Sequence, residues 1–252
     1  SRMEYTFISE QYKNVVQESM EDNSVLETFI AENDRAFILK HNLNAVSSLL
    51  RFLESPDNIF VLNGFMGSGK SHVIDFACDF VDKNVLIFKN SYQEAINLDD
   101  IFLSMFKDFS VYHNEKKITL PKTETSIFSE KINAFVKYCE APMLFIFDSF
   151  EINMRSKDTQ KDILDFINYI SHFEKVKIVI CSRTFRQSDL ISPDSTQSCT
   201  LEPLTQNEML DYLIQNQITG NKYELDELYR ASRGHFLLLE LSVLIMQTLK
   251  QS

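Results

Sequence analysis

The sequence predicts a three-layer α/β sandwich, in which helices cover both faces of a parallel five-stranded sheet, followed by a small all-helical unit. Two observations support this class. Short apolar runs, each the length of a buried strand, alternate with stretches whose apolar residues recur at helical spacing. After Pro203 the strand-like runs stop and only helical patterns remain. Such alternation is typical of parallel sheets, because the connection between two parallel strands usually contains a helix.

The predicted elements follow one another in a regular order. Strands are expected at residues 59–62, 84–88, 143–147, 177–181 and 198–201. Helices are expected at 44–54, 70–81, 94–109, 127–140, around 163–170, from a capping box at Thr205 and Glu208, at 223–232 and at 235–249, with a polar surface loop at 112–125. We therefore expect three regions: an N-terminal helical extension (1–30), an α/β core (31–203) and a helical lid (204–252).

One glycine-rich loop carries the strongest chemical signal. Three of the five glycines in the 252 residues fall between positions 64 and 71, in the sequence Gly-Phe-Met-Gly-Ser-Gly-Lys-Ser. The pattern G-x-x-x-x-G-K-[ST] after an apolar strand and before a helix is typical of a phosphate-binding loop, and predicts a P-loop nucleotide-binding fold. Glycines let backbone N–H groups close around phosphates, and the helix N-terminus favours anions. The residues predicted to contact the nucleotide are Gly64, Met66, Gly67, Ser68, Gly69, Lys70, Ser71 and His72.

Catalytic and metal-binding roles follow from the same chemistry. Lys70 is placed to reach the β- and γ-phosphates, and Ser71 to ligate Mg²⁺. Asp148 ends an apolar strand whose tip should lie at the same sheet edge as the loop, so we expect it to hold Mg²⁺ through water. Glu151 is the nearest candidate to activate the attacking water. Ser149 occupies the position next to Asp148, so the usual adjacent pair of acids is missing; either hydrolysis is slow or its base lies elsewhere.

An arginine at the end of the fourth strand is the candidate sensor of the γ-phosphate. Arg183 follows the run 177–181, at the edge where the phosphates are expected. Arg186 lies close behind, and a role toward a neighbouring subunit is a weaker hypothesis.

Charge and hydropathy restrict the partners. The formal net charge of -11 argues against general nucleic-acid binding, which needs clustered Lys and Arg. We find no apolar signal segment and no apolar run of membrane-spanning length, so we expect a cytoplasmic protein without a membrane partner. An apolar stripe near the C-terminus is interpreted as core packing, or as the face that meets a further domain: Phe236, Leu237, Leu238, Leu241, Leu244 and Ile245.

Together, these motifs resemble the signal-transducing ATPases with numerous domains (STAND), a regulatory branch related to the AAA+ ATPases. The resemblance rests on the phosphate loop, the strand ends at 147–151 and 181–183, the segment 201–204 and the lid sequence 234–237. Cys181 stands where the family usually has threonine, and Phe236 where it has proline. The resemblance implies ATP or ADP and Mg²⁺ held between core and lid, assembly into a homo-oligomer in the ATP state, and further domains or a protein partner.

Several functions remain open on sequence alone. The leading interpretation is an ATP-dependent regulatory switch with slow hydrolysis, whose ADP or ATP state controls conformation and assembly. The alternatives are an AAA+-type ATPase that loads or remodels a macromolecule and, less favoured, a small-molecule kinase. A GTPase is least favoured, because the guanine-reading Asn-Lys-x-Asp motif is absent. The adenine pocket is expected near residues 30–40 and Pro203.

Overall fold

The computed structural model describes most of the chain on both sides of a long gap. The described residues are 5–19, 23–90, 133, 135–137, 139–153, 157–185, 190 and 195–251. The predicted helix at 94–109, the loop at 112–125, most of the predicted helix at 127–140, and Arg186 lie outside them.

Four α-helices precede the sheet in the part of the chain that the structure describes. After a short 3-10 turn at Glu10–Tyr12 they run as α1 (Lys13–Glu18), α2 (Ser24–Ala31), α3 (Ala36–His41) and α4 (Leu43–Glu54). Val16 of α1 and Ile30 of α2 are buried in the same apolar cluster as Leu50 of α4. The N-terminal helices therefore form part of the layer on one face of the sheet.

The described strands form one parallel sheet. They are β1 (Ile59–Gly64), β2 (Leu86–Asn90), β3 (Met143–Phe147), β4 (Val176–Ser182) and β5 (Thr196–Leu201). Their spatial order is β2-β3-β4-β1-β5, and every neighbouring pair is parallel. The predicted parallel five-stranded sheet is confirmed, although β2 begins two residues later than expected. Because the strands are parallel, the C-terminal tips of β1, β3 and β4 lie at one edge.

Helices on both sides bury the sheet. Along β1, Phe60 and Leu62 belong to the apolar cluster that contains α4 and α5 (Lys70–Cys78). Ile59 and Val61 face the opposite cluster, which contains α7 (Lys157–Ile170). This alternation follows from the two-residue repeat of a strand, and it confirms the three-layer arrangement. The short helix α6 (Phe150–Asn153) lies between β3 and α7.

Three helices follow the sheet: α8 (Gln206–Gln215), α9 (Lys222–Ser232) and α10 (Phe236–Gln251). The predicted capping box at Thr205 is present, because its side chain accepts from the Glu208 N–H while the Glu208 carboxylate accepts from the Thr205 N–H. Met209 and Leu213 of α8 share an apolar cluster with Ile38 of α3. Helix α3 therefore packs against the C-terminal helices, although it precedes the sheet in sequence.

The apolar stripe of α10 corrects one sequence interpretation. Phe236 is buried as expected, but Leu238 and Leu241 are 45% and 46% exposed, and Leu244 and Ile245 are each 59% exposed. Core packing in this chain therefore accounts for only part of the stripe. Within the described ranges, no helix combines the length and hydropathy needed to cross a lipid bilayer.

Candidate nucleotide site

The glycine-rich loop occupies the turn between β1 and α5. Gly67 and Gly69 have φ values of 74° and 98°, in the left-handed region that side-chain-bearing residues rarely adopt. Gly69 is also the N-cap of α5, so the backbone N–H groups of the first helical turn point toward the loop. This is the backbone geometry that an anion-binding loop requires.

Close neighbours give these glycines a second reason to lack a side chain. A Cβ at Gly67 would lie 2.5 Å from the Cβ of Leu237 and 2.7 Å from Cε1 of His235, both at the start of α10. A Cβ at Gly69 would lie 2.7 Å from Cγ1 of Ile38 in α3. The loop is therefore in contact with the C-terminal helices on one side and with α3 on the other.

Lys70 folds back over the loop. Its Nζ donates to the carbonyl oxygens of Gly64 (2.6 Å) and Phe65 (2.8 Å). Burial lowers the pKa of Lys70, while the carboxylates of Glu151 and Asp148 oppose that shift by favouring the charged ammonium. Lys70 thus places a partly desolvated cation at the loop, where it can pair with phosphate oxygens.

Two oxygen ligands meet at the edge of the sheet. The Ser71 hydroxyl donates to Oδ2 of Asp148 at 2.9 Å, and Oδ1 of Asp148 accepts from the Ser149 N–H. Ser149 has a φ of 54°, which is a strained backbone conformation for a residue with a side chain. A hydroxyl and a carboxylate are hard oxygen donors, so this pair fits a Mg²⁺ that takes its other ligands from water and phosphate. The described residues contain no cluster of three or more His, Cys, Asp or Glu that could bind a metal unaided.

Glu151 and Arg183 are held together. The Arg183 Nε lies 2.9 Å from Oε1 of Glu151, and the Arg183 backbone N–H donates to Oε2 at 3.3 Å. A terminal guanidinium nitrogen of Arg183 contacts the sulfur of Met66 in the loop at 3.3 Å. The candidate base and the candidate sensor, 32 residues apart in sequence, therefore form one contact network with the phosphate loop.

Asn63 anchors the segment that carries Arg183. Its side-chain amide donates to the Phe185 carbonyl and accepts from the Phe185 N–H, both at 3.1 Å. The sequence analysis did not identify Asn63. Its position could have indicated a role, because Asn63 is a polar residue at the end of an otherwise apolar strand, directly before Gly64. Cys181, which stands where the family that the sequence resembles usually has threonine, is fully buried among the apolar side chains of the sheet.

Two adjacent cavities lie around the loop. The first, of about 290 Å³, holds the predicted phosphate and metal residues; it is lined by Met66, Gly67, Gly69, Lys70, Ser71, His72, Asp148, Ser149, Glu151, Arg183, Phe236, Leu237 and Glu240. The second, of about 350 Å³, is mainly apolar and lies between α3, the segment 202–204 and the C-terminal helices. Ile38, Pro203 and Leu204 are among its lining residues, with Ser68 at the loop side.

The remaining predicted contacts fall at the rim or the base of these cavities. His72 lines the first cavity, and burial lowers its pKa, with the charge of Arg35 acting in the same direction. Arg35 makes a 3.0 Å ion pair with Glu240 of α10. Gly64 is at the base of the loop, where an added Cβ would lie 2.7 Å from the Ser68 hydroxyl. All the predicted site residues therefore converge on one region of the molecule.

Three polar residues near the loop and the second cavity were not predicted as part of the site. Asn42 donates from its amide to the carbonyls of Ser68 and Ile38, which fixes the loop to α3. His41 lies between two acceptors, with Nδ1 2.7 Å from Oε1 of Glu208 and Nε2 3.0 Å from the Glu202 carbonyl. Nδ1 of His235 is buried without a hydrogen-bond partner in the described part of the chain. These residues depend on contacts between distant segments, so local spacing gave no signal for them.

The chain matches known proteins in structure but not in sequence. No protein-family model matches the chain, and no curated protein matches it by sequence. The chain is similar to the STAND protein with a tetratricopeptide repeat sensor from Pyrococcus horikoshii, with 15% identity, 80% of this chain and 29% of that chain covered, and a TM-score of 0.46. It is similar to Cdc6p from Pyrobaculum aerophilum, with 13% identity, 70% and 48% coverage, and a TM-score of 0.45. It is also similar to domain III of the replication initiation protein DnaA from Thermotoga maritima, with 15% identity, 84% of each chain covered, and a TM-score of 0.48.

Fold and loop together define the class. A parallel sheet in the order β2-β3-β4-β1-β5, with the phosphate loop after β1 and an acid after β3, is the P-loop NTPase fold. The chain spans 29% of the length of the STAND protein and 48% of that of Cdc6p.

Proposed function

We propose that the chain binds ATP and ADP with Mg²⁺ and acts as a regulatory switch with slow hydrolysis. The observation that carries this proposal is the contact of the loop with α10. Gly67 lies against Leu237 and His235, so a nucleotide on the loop is placed at the junction of the sheet and the C-terminal helices. A change at the phosphates can therefore act directly on the packing of those helices.

The donor groups at the loop fit a nucleotide with magnesium. Lys70 and the backbone N–H groups at the start of α5 would hold the phosphates, and Ser71 with Asp148 would hold Mg²⁺. When bound, Mg²⁺ neutralises phosphate charge. The second cavity, with Ile38, Pro203 and Leu204 on its walls, is the proposed site of the adenine base.

The placement of Glu151 supports slow turnover. Its carboxylate is engaged by Arg183, and Ser149 occupies the position where an adjacent second acid would stand. A base that is already paired must exchange its partner before it can accept a proton from water.

The alternatives, an ATPase that loads or remodels a macromolecule and a small-molecule kinase, require steady turnover. Assembly into a homo-oligomer, and partners or further domains, stay predictions.

Two measurements test the proposal, the first of them on bound nucleotide. Freshly purified protein is denatured, and the released nucleotide is identified by chromatography. Stoichiometric ADP is expected for a switch that retains its product. An empty site together with rapid ATP turnover would instead favour a working ATPase.

The second measurement is nucleotide binding by a loop variant. In Lys70→Ala we expect ATP affinity to fall at least about tenfold while the far-UV circular dichroism spectrum is unchanged, because a charge-assisted contact to phosphate is lost. The matched control is Lys83→Ala, which removes the same charge from an exposed position. ATP affinity equal in the two variants would contradict the assignment of the phosphate site.

A further inference from the structure

Arg183 has two neighbours that a nucleotide would disturb. One is the Glu151 carboxylate, which is met by both the side chain and the backbone N–H of Arg183. The other is Met66 in the phosphate loop. The guanidinium therefore lies between the candidate base and the loop that would carry the phosphates, where an incoming phosphate would compete with Glu151 for its donors.

The charges around this cavity are balanced as the chain stands. Lys70 and Arg183 supply two cations to its lining, and Asp148, Glu151 and Glu240 supply three anions, of which Glu240 is paired with Arg35. Burial lowers the pKa of Lys70, the charges of Glu151 and Asp148 act to raise it, and the charge of Arg183 acts to lower it. An added triphosphate brings excess negative charge, so it competes with the two carboxylates for the two cations.

The backbone at Arg183 is anchored, while its side chain is half-exposed. Asn63 binds both the N–H and the carbonyl of Phe185, and the Phe185 ring packs edge-to-face on Phe150, next to Glu151. The Arg183 side chain is 49% exposed and the Glu151 side chain 25% exposed. Rotation of the guanidinium toward a phosphate thus requires no movement of β4 or α6.

We propose that Glu151 and the γ-phosphate compete for the Arg183 guanidinium, so that binding of ATP, but not of ADP, releases the Glu151 carboxylate. This inference rests on the proposed function, and it makes Arg183 a positioning residue for Glu151 as well as a phosphate contact. The released carboxylate accepts a proton from water while the water oxygen bonds to the γ-phosphorus. The bond from that phosphorus to the β–γ bridging oxygen breaks, and ADP leaves with the electron pair.

The competition predicts a specific change in nucleotide preference. In Glu151→Gln, the rival anion is removed, so the affinity for a non-hydrolysable ATP analogue should rise about two- to fivefold relative to that for ADP, the range expected for a partly exposed ion pair. Glu151→Asp keeps the charge but shortens the reach, and should change the preference in the same direction. Both affinities are measured by isothermal titration calorimetry with Mg²⁺.

An arginine-free background separates competition from simple repulsion. In Arg183→Met, the Glu151→Gln substitution should leave the ratio of the two affinities unchanged, because no guanidinium remains to be contested. An equal shift with and without Arg183 would mean that Glu151 only repels phosphate, and would overturn the proposal. An unchanged ratio in Glu151→Gln alone would overturn it as well.

The same titrations distinguish this inference from the function on which it rests. If the wild-type chain binds neither nucleotide, the proposed function fails and the competition fails with it. If the wild type binds both nucleotides but the ratio does not respond to Glu151, only the competition fails. Turnover of ATP, recorded in parallel, should fall in Glu151→Gln even though binding of the analogue tightens.

Discussion

At the scale of single residues, the site combines groups that sequence spacing identifies with groups that it cannot. Lys70 and Ser71 follow from the loop pattern, and Asp148 follows from the end of an apolar strand. Asn63 was missed because its partner is the backbone of Phe185, 122 positions away. A polar side chain whose role is to hold distant backbone leaves no local pattern.

Lys177 is a buried cation far from the nucleotide site, at the opposite end of β4 from Arg183. Its Nζ donates to the carbonyls of Ser55 and Asp57, and it lies 5.0 Å from the centre of the Phe52 ring. Burial lowers the pKa of Lys177 to about 8, from 10.5. Between these two values the unfolded chain binds more protons than the folded one, so the contribution of Lys177 to stability rises with pH.

This pKa shift predicts a pH-dependent difference between wild type and Lys177→Met. From about pH 7 to about pH 10, the free energy of unfolding of the wild type should gain on that of the variant by on the order of 2 kcal/mol. Urea unfolding followed by circular dichroism at several pH values gives the difference, in which the titrations common to both proteins cancel. A difference that is independent of pH would show that Lys177 is not desolvated in the folded state.

At the scale of elements, the strands and the capping box were well predicted from the sequence. Apolar runs buried on both faces leave few alternatives to a parallel sheet, and the Thr205 and Glu208 pair specifies a helix start by local chemistry. For α10, core packing, the first of the two sequence interpretations, accounts for only part of the stripe. Its apolar residues surround most of the helix, so the pattern could not indicate which of them face this chain.

The turn between α9 and α10 is an element whose geometry depends on one glycine. Arg233 and Gly234 both have positive φ values, 51° and 72°, and the Gly234 carbonyl accepts from the Leu204 N–H at 2.9 Å. A Cβ at Gly234 would overlap the carbonyl oxygen of Leu204. The turn thereby fixes the C-terminal helices to the segment that leaves the sheet.

Gly234→Ala should therefore destabilise the protein by about 2–4 kcal/mol, from the left-handed φ and the overlap together. The matched control is Gly220→Ala, where φ is not positive and the new Cβ would lie 3.1 Å from Oε2 of Glu224, a side-chain atom and not a backbone atom. That variant should change stability by less than about 1 kcal/mol. Denaturant unfolding compares the two, and equal effects would contradict the role given to the turn.

At the scale of the whole molecule, α3 connects the sheet to the C-terminal helices. His41 bonds to Glu208 and to the Glu202 carbonyl, and Asn42, directly after α3, bonds to the loop at Ser68. The general position of the adenine pocket was expected near residues 30–40 and Pro203, and the second cavity supports that proposal. Which side chains line it could not be predicted, because it forms only when three distant segments pack together.

His41→Ala should speed the release of bound nucleotide several-fold, because it removes both bonds that hold α8 and the segment before it against α3. Displacement of a fluorescent ADP analogue measures this rate. His172→Ala is the control, since the His172 ring bonds only to the Asn168 carbonyl within its own helical region. A release rate that is the same for the two variants would contradict this connection.

His41 also lines the second cavity, so a further variant separates direct contact from packing. Glu208→Gln keeps the capping box, because glutamine serves equally well at that position, but it weakens the bond to His41. Its release rate should lie between those of the wild type and His41→Ala. A rate equal to that of the wild type would assign the effect of His41 to the cavity alone.

The three glycines of the phosphate loop are constrained by three different parts of the molecule. Gly64 is confined by Leu201 at the end of β5, Gly67 by Leu237 and Gly69 by Ile38. A side chain at each glycine would therefore meet a different part of the protein, and at Gly67 and Gly69 it would also be strained by the positive φ, even though a single ligand requires all three. A second substitution would relieve the overlap but not the strain in φ: glycine at Leu237, whose Cβ is the atom met, for a variant at Gly67, and alanine at Ile38 for a variant at Gly69. A search for such second-site revertants would thus map which part of the protein each glycine touches.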